Sequence, residues 1–108
     1  MSLWLVAEEE GAVLGYVGSQ TVLDETDMMN LAVHPDCRRR GIASSLIDAL
    51  LSRLKERGSR CLKLEVRVSN EAAIAVYESM GFGKLGLRKN YYRNPREDAL
   101  ILGKEWVL

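Results

Sequence analysis

Two hydrophobic periods alternate along the chain. Residues 3–7 are a short apolar run that reads as a strand. Residues 8–11, Glu8-Glu9-Glu10-Gly11, read as a charged turn closed by a glycine. Residues 12–22 read as a second strand, where Gly15 and Gly18 weaken the pattern or mark bulges, and the two strands make a hairpin. Residues 23–27 form another polar turn. Residues 28–33 are apolar on both faces except at Asn30, the pattern of a central, buried strand. The period then changes to that of a helix, predicted over residues 40–57. Ile42, Leu46, Leu50 and Leu54 form one row with Ala43 and Ile47 beside it, and Gly58 is the stop.

Residues 60–68 alternate cleanly. Leu62, Leu64, Val66 and Val68 face one way, and Lys63, Glu65 and Arg67 the other. Ser69-Asn70-Glu71 is a helix start with a capping side chain, and that helix runs through Tyr77 to Met80 before Gly81 ends it. A strand over 82–88, a loop over 89–97 with the turn signal Asn94-Pro95, and a last strand over 98–107 complete the chain. The order β-β-β-α-β-α-β-β predicts an α/β domain with a mixed sheet flanked by helices.

A length of 108 residues suits one domain, spanning 1–108, with one modest core. Lys+Arg and Asp+Glu each number 15, so the arginine run at residues 38–40 is a local feature of a neutral chain. Nucleic acid as the main partner needs a broad basic footprint, and the balance argues against it. Cys37 and Cys61 lack metal-ligand spacing and read as reduced thiols, which suggests a cytoplasmic protein. No metal, membrane span or signal peptide is expected.

The candidate chemistry starts at the junction of the third strand and first helix, Val33-His34-Pro35-Asp36-Cys37-Arg38-Arg39-Arg40-Gly41-Ile42-Ala43. A helix start aims unpaired N–H groups and the positive end of its dipole at one point. A glycine there lets a ligand approach the backbone. The turn is either a phosphate or pyrophosphate site or a plain helix start with a solvated basic patch. If the strands flanking this helix are parallel neighbours, Glu65 lies near the same sheet end as the turn. A carboxylate, the Tyr77 phenol and an anion site around one cleft suit group transfer from a phosphate-bearing carrier.

Arg38 to Ala43 matches Gln/Arg-x-x-Gly-x-Gly/Ala, and on this motif the chain resembles the GNAT-type N-acetyltransferases. The remainder is similar to the ribosomal-protein-alanine N-acetyltransferases, the RimI group. The matching residues are Leu64-Glu65-Val66-Arg67 with Ser69-Asn70, then Ala73-Ile74-Ala75-x-Tyr77-Glu78-Ser79-x-Gly81-Phe82, Arg88-Lys89-Asn90-Tyr91-Tyr92 and Glu97-Asp98-Ala99. The resemblance implies the GNAT-like acyl-CoA N-acyltransferase fold, with acetyl-CoA as co-substrate and a protein or peptide N-terminus as acceptor.

By position, the resemblance implies that Leu31, Ala32 and Val33 offer backbone groups to the acetyl and pantetheine parts. Arg38, Arg39, Arg40, Gly41, Ile42, Ala43 and Ser44 would cradle the pyrophosphate, and Asn70 would bond the pantetheine arm. Glu65 would be the general base and Tyr77 the general acid for direct attack of the amine on the thioester. The loop carrying Tyr91 and Tyr92 would border the acceptor. Such chemistry is reasonable: a peptide α-amino group titrates at about 7.7–8.0 against about 10.4 for lysine, and a phenol at about 10 matches a developing thiolate.

Each residue also has a plainer role. Glu65 shares its face with Lys63 and Arg67, Tyr77 lies on an apolar row, Asn70 is a good helix cap, and His34 suits a spacer before Pro35. The family usually begins with a further strand and helix pair, which this sequence lacks. An uncovered apolar sheet face would then favour self-association as a homodimer. The alternatives are a GNAT enzyme for another amine, small-molecule or lysine, and an acetyl-CoA-binding module with little catalysis.

Overall fold

The computed structural model describes residues 1–38 and 40–107. The elements are β1 (Ser2–Glu9), β2 (Ala12–Val22), β3 (Glu25–Val33), a 3-10 turn (Pro35–Cys37), α1 (Ile42–Glu56), β4 (Cys61–Arg67), α2 (Glu71–Ser79), β5 (Gly83–Arg93) and β6 (Arg96–Glu105). The six strands form one mixed sheet in the order β1-β2-β3-β4-β6-β5. Of its neighbouring pairs, only β3 and β4, joined through α1, run parallel.

The predicted apolar row fixes α1. Leu46, Ile47, Leu50 and Leu54 are buried, and the helix packs on β1, β2 and β3. Each such side chain contributes about 1.5–3 kcal/mol on burial. Leu62, Leu64 and Val66 of β4 join the same core, as do Tyr77 of α2 and Phe82. On β1, Leu3 is buried while Trp4 and Val6 stay exposed, as does Tyr16 opposite Val6. Among the described residues no helix is long and apolar enough to cross a membrane.

Several boundaries differ from the sequence reading. Residues 89–97, expected as a loop, belong to the β5–β6 hairpin, with Tyr92 paired to Glu97 and Arg93 to Arg96. Between the Arg88–Ala99 and Tyr92–Glu97 pairs, β5 advances four residues while β6 advances two. This bulge, with Asn90 at φ 54°, takes up the polar residues that looked like a loop. Residues 23–27 are not all turn, because β3 starts at Glu25. Its buried Thr26 is held by hydroxyl contacts to Thr21 (2.8 Å) and Ser59 (2.7 Å), so a core position is filled by a polar residue. β1 runs on to Glu9, β4 stops at Arg67 with Val68 exposed, and β6 begins at Arg96.

The expectation that residues 28–33 are buried on both faces also fails. β3 is third of six strands, yet Met29 is 61% exposed. The cause lies in the register. β3 pairs with β4 only over Glu25, Thr26 and Asp27, against Cys61, Leu62 and Lys63. Against β2, Gly18 pairs Asn30 and Ser19 pairs Met28, so Met29 is the extra residue of a bulge. A bulge bends its strand and ends regular pairing. β3 and β4 therefore diverge just past Asp27, and residues 28–33 have a strand on one edge only.

Candidate active site

The divergence of β3 from β4 opens a cleft of about 330 Å³ lined by Met28, Met29, Asn30 and Leu31 on one side and by Leu64, Glu65, Val66 and Arg67 on the other. Asn70, Ala73 and Tyr77 of the α2 region, together with Tyr92 of β5, complete it. Half the backbone N–H and C=O groups of an unpaired strand edge point away from its one neighbour, here across the gap. A chain-like ligand carrying amides can use them as a neighbouring strand would.

A second hollow, of about 180 Å³, lies at the start of α1, lined by Val33, Cys37, Arg38, Gly41, Ile42, Ala43, Ser44 and Val76. Gly41 is the helix cap at φ 74°, and it supplies no side-chain hydrogen bond. A Cβ placed on it would meet nothing within 4 Å. The glycine is therefore set by backbone conformation, and the space in front of it is open. The first N–H groups of a helix have no acceptor within the helix, so they face this hollow uncapped by a side chain. Arg38 lines it. Arg40 is turned aside to Glu9 at 2.6 Å, with Cys37 Sγ at 3.9 Å. Arg39 lies outside the described residues. His34 Nδ1 accepts from the Asp36 N–H at 3.1 Å, a local capping role.

The two hollows share α2 as a wall, Val76 facing one and Tyr77 the other. An extended ligand with an anionic group at one end and a reactive group at the other would lie along β3. Asn70 caps α2, its Oδ1 accepting from the Ala73 N–H at 3.1 Å, which leaves its amide NH₂ free to donate.

The model of the acetyltransferase (GNAT) family matches residues 2–82. The chain belongs to the GNAT family. A [ribosomal protein bS18]-alanine N-acetyltransferase of Escherichia coli K12 is 45% identical over 96 residues, which cover 87% of this chain and 65% of that protein. The crystal structure of the ribosomal-protein-S18-alanine N-acetyltransferase from Escherichia coli superposes with a TM-score of 0.93 at 40% identity, covering 99% of this chain and 70% of that one. A GNAT acetyltransferase from Elizabethkingia anophelis, solved with acetyl-CoA bound, shares the fold at 18% identity and a TM-score of 0.89. The chain thus spans about two thirds of the length of the E. coli relatives, 65% in the sequence match.

Within this GNAT fold, Glu65 is half-buried at the cleft. Its ionic partner is Arg88 of β5 at 3.8 Å, not Lys63 or Arg67. Those two share its strand face about 6–7 Å away along the strand and are engaged elsewhere, by Glu25 and Glu97. Tyr92 lines the cleft under the Arg67 guanidinium, whereas Tyr91 is 46% exposed and stacks edge-on to Tyr92 at 5.0 Å. Burial, with Tyr91 and Glu65 next, pushes the Tyr92 phenol up, and Arg67 opposes.

Tyr77 is 7% exposed. It packs edge-on to Phe82, and among the described residues its hydroxyl has only a soft acceptor, Met28 Sδ at 3.9 Å. Burial, then Tyr92, pushes its phenol up to about 12. A phenol at about 12 is a weaker acid than a thiol at about 8.5, so it favours hydrogen-bond donation over complete proton loss.

The raised value links to stability. The folded state prefers the neutral phenol, so its stabilisation is complete below about pH 10 and disappears as pH rises toward about 12. Over that interval the native chain is expected to lose about 2–3 kcal/mol more than Tyr77→Phe in urea unfolding. Equal losses would show that burial does not restrain Tyr77 ionisation.

Met28, Met29, Asn30 and Arg67 line the cleft without having been expected there. Arg67 had a signal, since it lies two residues from Glu65 on one strand face. The methionines had none, because only the bulge at Met29 turns that stretch of β3 toward open space.

Proposed function

We propose that the chain, folded as one domain, is an acetyl-CoA-dependent N-acetyltransferase acting on the N-terminal α-amino group of a protein, such as a ribosomal protein. The observation that carries this reading is the gap between β3 and β4, which a carboxylate and a buried phenol face together. The named E. coli relatives support the acceptor class, and the E. anophelis complex supports the donor on this fold.

The residues fit the donor. The uncapped start of α1, from Gly41 through Ile42, Ala43 and Ser44, suits a pyrophosphate, with Arg38 adding charge. Arg40 acts there only if it releases Glu9. The free edge of Leu31, Ala32 and Val33 suits the amides of the pantetheine arm, with Asn70 donating from the opposite wall. Backbone N–H groups of this edge also suit the oxyanion that forms on the thioester carbonyl. Tyr91 and Tyr92 border the acceptor.

In the reaction, Glu65 takes a proton from the substrate ammonium, through a bridging water. The free amine attacks the acetyl carbonyl. The C–N bond forms, the C–S bond breaks, and nitrogen gives up a second proton, which balances the one gained by sulfur, while the first passes from Glu65 to solvent. Tyr77 donates a hydrogen bond to the departing sulfur.

The test follows from the titration of the acceptor. An α-amino group at about 7.7–8.0 is mostly protonated at about pH 6.5 and mostly free at about pH 9. Thiol release with an Ala-starting peptide is expected to fall tenfold or more in Glu65→Gln at about pH 6.5, and to approach the native rate near pH 9. A deficit that stays constant across this range would mean that Glu65 does not take the proton.

A further inference from the structure

Arg67, Glu97 and Ser69 form a polar clamp beside the cleft that the mechanism above does not use. The Arg67 guanidinium lies over the Tyr92 ring, 4.3 Å from its centre. Its Nη1 donates to Glu97 Oε1 at 3.2 Å and to the Pro95 carbonyl at 3.0 Å. The other Glu97 oxygen accepts from the Ser69 N–H at 2.7 Å, one residue before the cap of α2. Tyr92 and Glu97 are direct cross-strand partners. One carboxylate therefore ties together the end of β4, the approach to α2 and the tip of the β5–β6 hairpin.

We infer that Glu97 is a positioning residue which, through Arg67, holds Tyr92 in place as the acceptor-side wall of the cleft. A guanidinium over a ring is a loose restraint by itself when it is exposed. It becomes a fixed one when its donors are tied down by a carboxylate and a carbonyl. The hairpin needs such a tie. Its β5 strand is at the sheet edge and exposed along its length except at Tyr92, and its pairing is interrupted by the bulge between Arg88 and Tyr92. Hydrogen bonds from Ser69 hold the Glu97 carboxyl below the usual carboxylate range against the opposing effect of burial, and Arg67 adds to them. The clamp is thus in its charged form throughout the neutral range.

The kinetic arm of the test rests on the acetyl-transfer reading, and the spectroscopic arm does not. Glu97→Ala and the milder Glu97→Gln would be compared with the native chain. Tyrosine ring resonances, assigned with Tyr92→Phe, report the wall directly. In Glu97→Ala the Tyr92 signals are expected to move toward free-tyrosine positions, with Glu97→Gln between. The acceptor-peptide KM is expected to rise about tenfold, equivalent to about 1.4 kcal/mol, with kcat and acetyl-CoA affinity within about twofold. Unmoved Tyr92 signals would overturn the inference. So would moved signals accompanied by an unchanged acceptor KM, or by equal losses of donor and acceptor affinity. If the native chain turned over no peptide, the acetyl-transfer reading would fail, and the resonances alone would decide whether the clamp holds Tyr92.

Discussion

Tyr77→Phe is expected to lower kcat about a hundredfold while leaving the fold and the acetyl-CoA affinity intact. General acid–base groups contribute about 10²–10⁴-fold. The low end applies here, because a phenol raised to about 12 is a poor proton donor and acts mainly by hydrogen bonding to the leaving sulfur. The substitution separates chemistry from folding unusually well. The hydroxyl's partner in the structure is Met28 Sδ at 3.9 Å, a weak contact. Removing it at neutral pH costs about 1 kcal/mol or less, while the ring keeps its edge contact with Phe82. Steady-state kinetics beside a urea titration would check both halves. A normal kcat would remove Tyr77 from the reaction.

Gly15→Ala is expected to have the second largest effect, on stability and donor binding together. A Cβ there would lie 2.7 Å from the Ala32 carbonyl oxygen and 3.3 Å from both Ile42 Cγ2 and Leu46 Cδ1. The first of these is backbone and cannot rotate away, so β3 or α1 must shift. Overpacking of this kind costs about 1–3 kcal/mol, and each kcal/mol lowers Tm by about 4–8 °C in a domain of this size. The displaced strand is the one proposed to pair with the pantetheine arm, so acetyl-CoA affinity should drop about tenfold, equivalent to about 1.4 kcal/mol. Gly83→Ala is the control, since a Cβ there meets nothing within 4 Å. If thermal melting and acetyl-CoA titration found the two variants alike, the close approach of β2 to β3 would not matter.

These two residues show what could be read from the sequence and what could not. The apolar row of α1 and the alternation of β4 were strong periodic signals, and both elements form where expected. They place the glycine turn, Glu65 and the start of α2 in the right order along the chain. Tyr77 was legible as buried, because it lies on the apolar row of α2. Gly15 was legible as a weak point or a bulge in a strand, and a bulge lies beside it, where Ala7 pairs Gly15 and Glu8 pairs Val13. The reason for the glycine, the Ala32 carbonyl, belongs to a neighbouring strand whose register no local pattern encodes. The same holds for the cleft itself, which exists because β3 bulges at Met29 and stops pairing with β4 after Asp27. The β5–β6 hairpin was hidden for a related reason. Its polar, bulged strand looks like a loop until Tyr92 is set opposite Glu97. Periodicity thus reveals elements that bury a face, while contacts across strands stay invisible until the register is known.

The most direct test is mass spectrometry of an Ala-starting peptide incubated with the chain and acetyl-CoA. The expected product carries one acetyl group on the N-terminal nitrogen, with one CoA thiol released for each peptide modified. An unmodified peptide, or acetyl groups on lysine side chains alone, would contradict the proposed reaction.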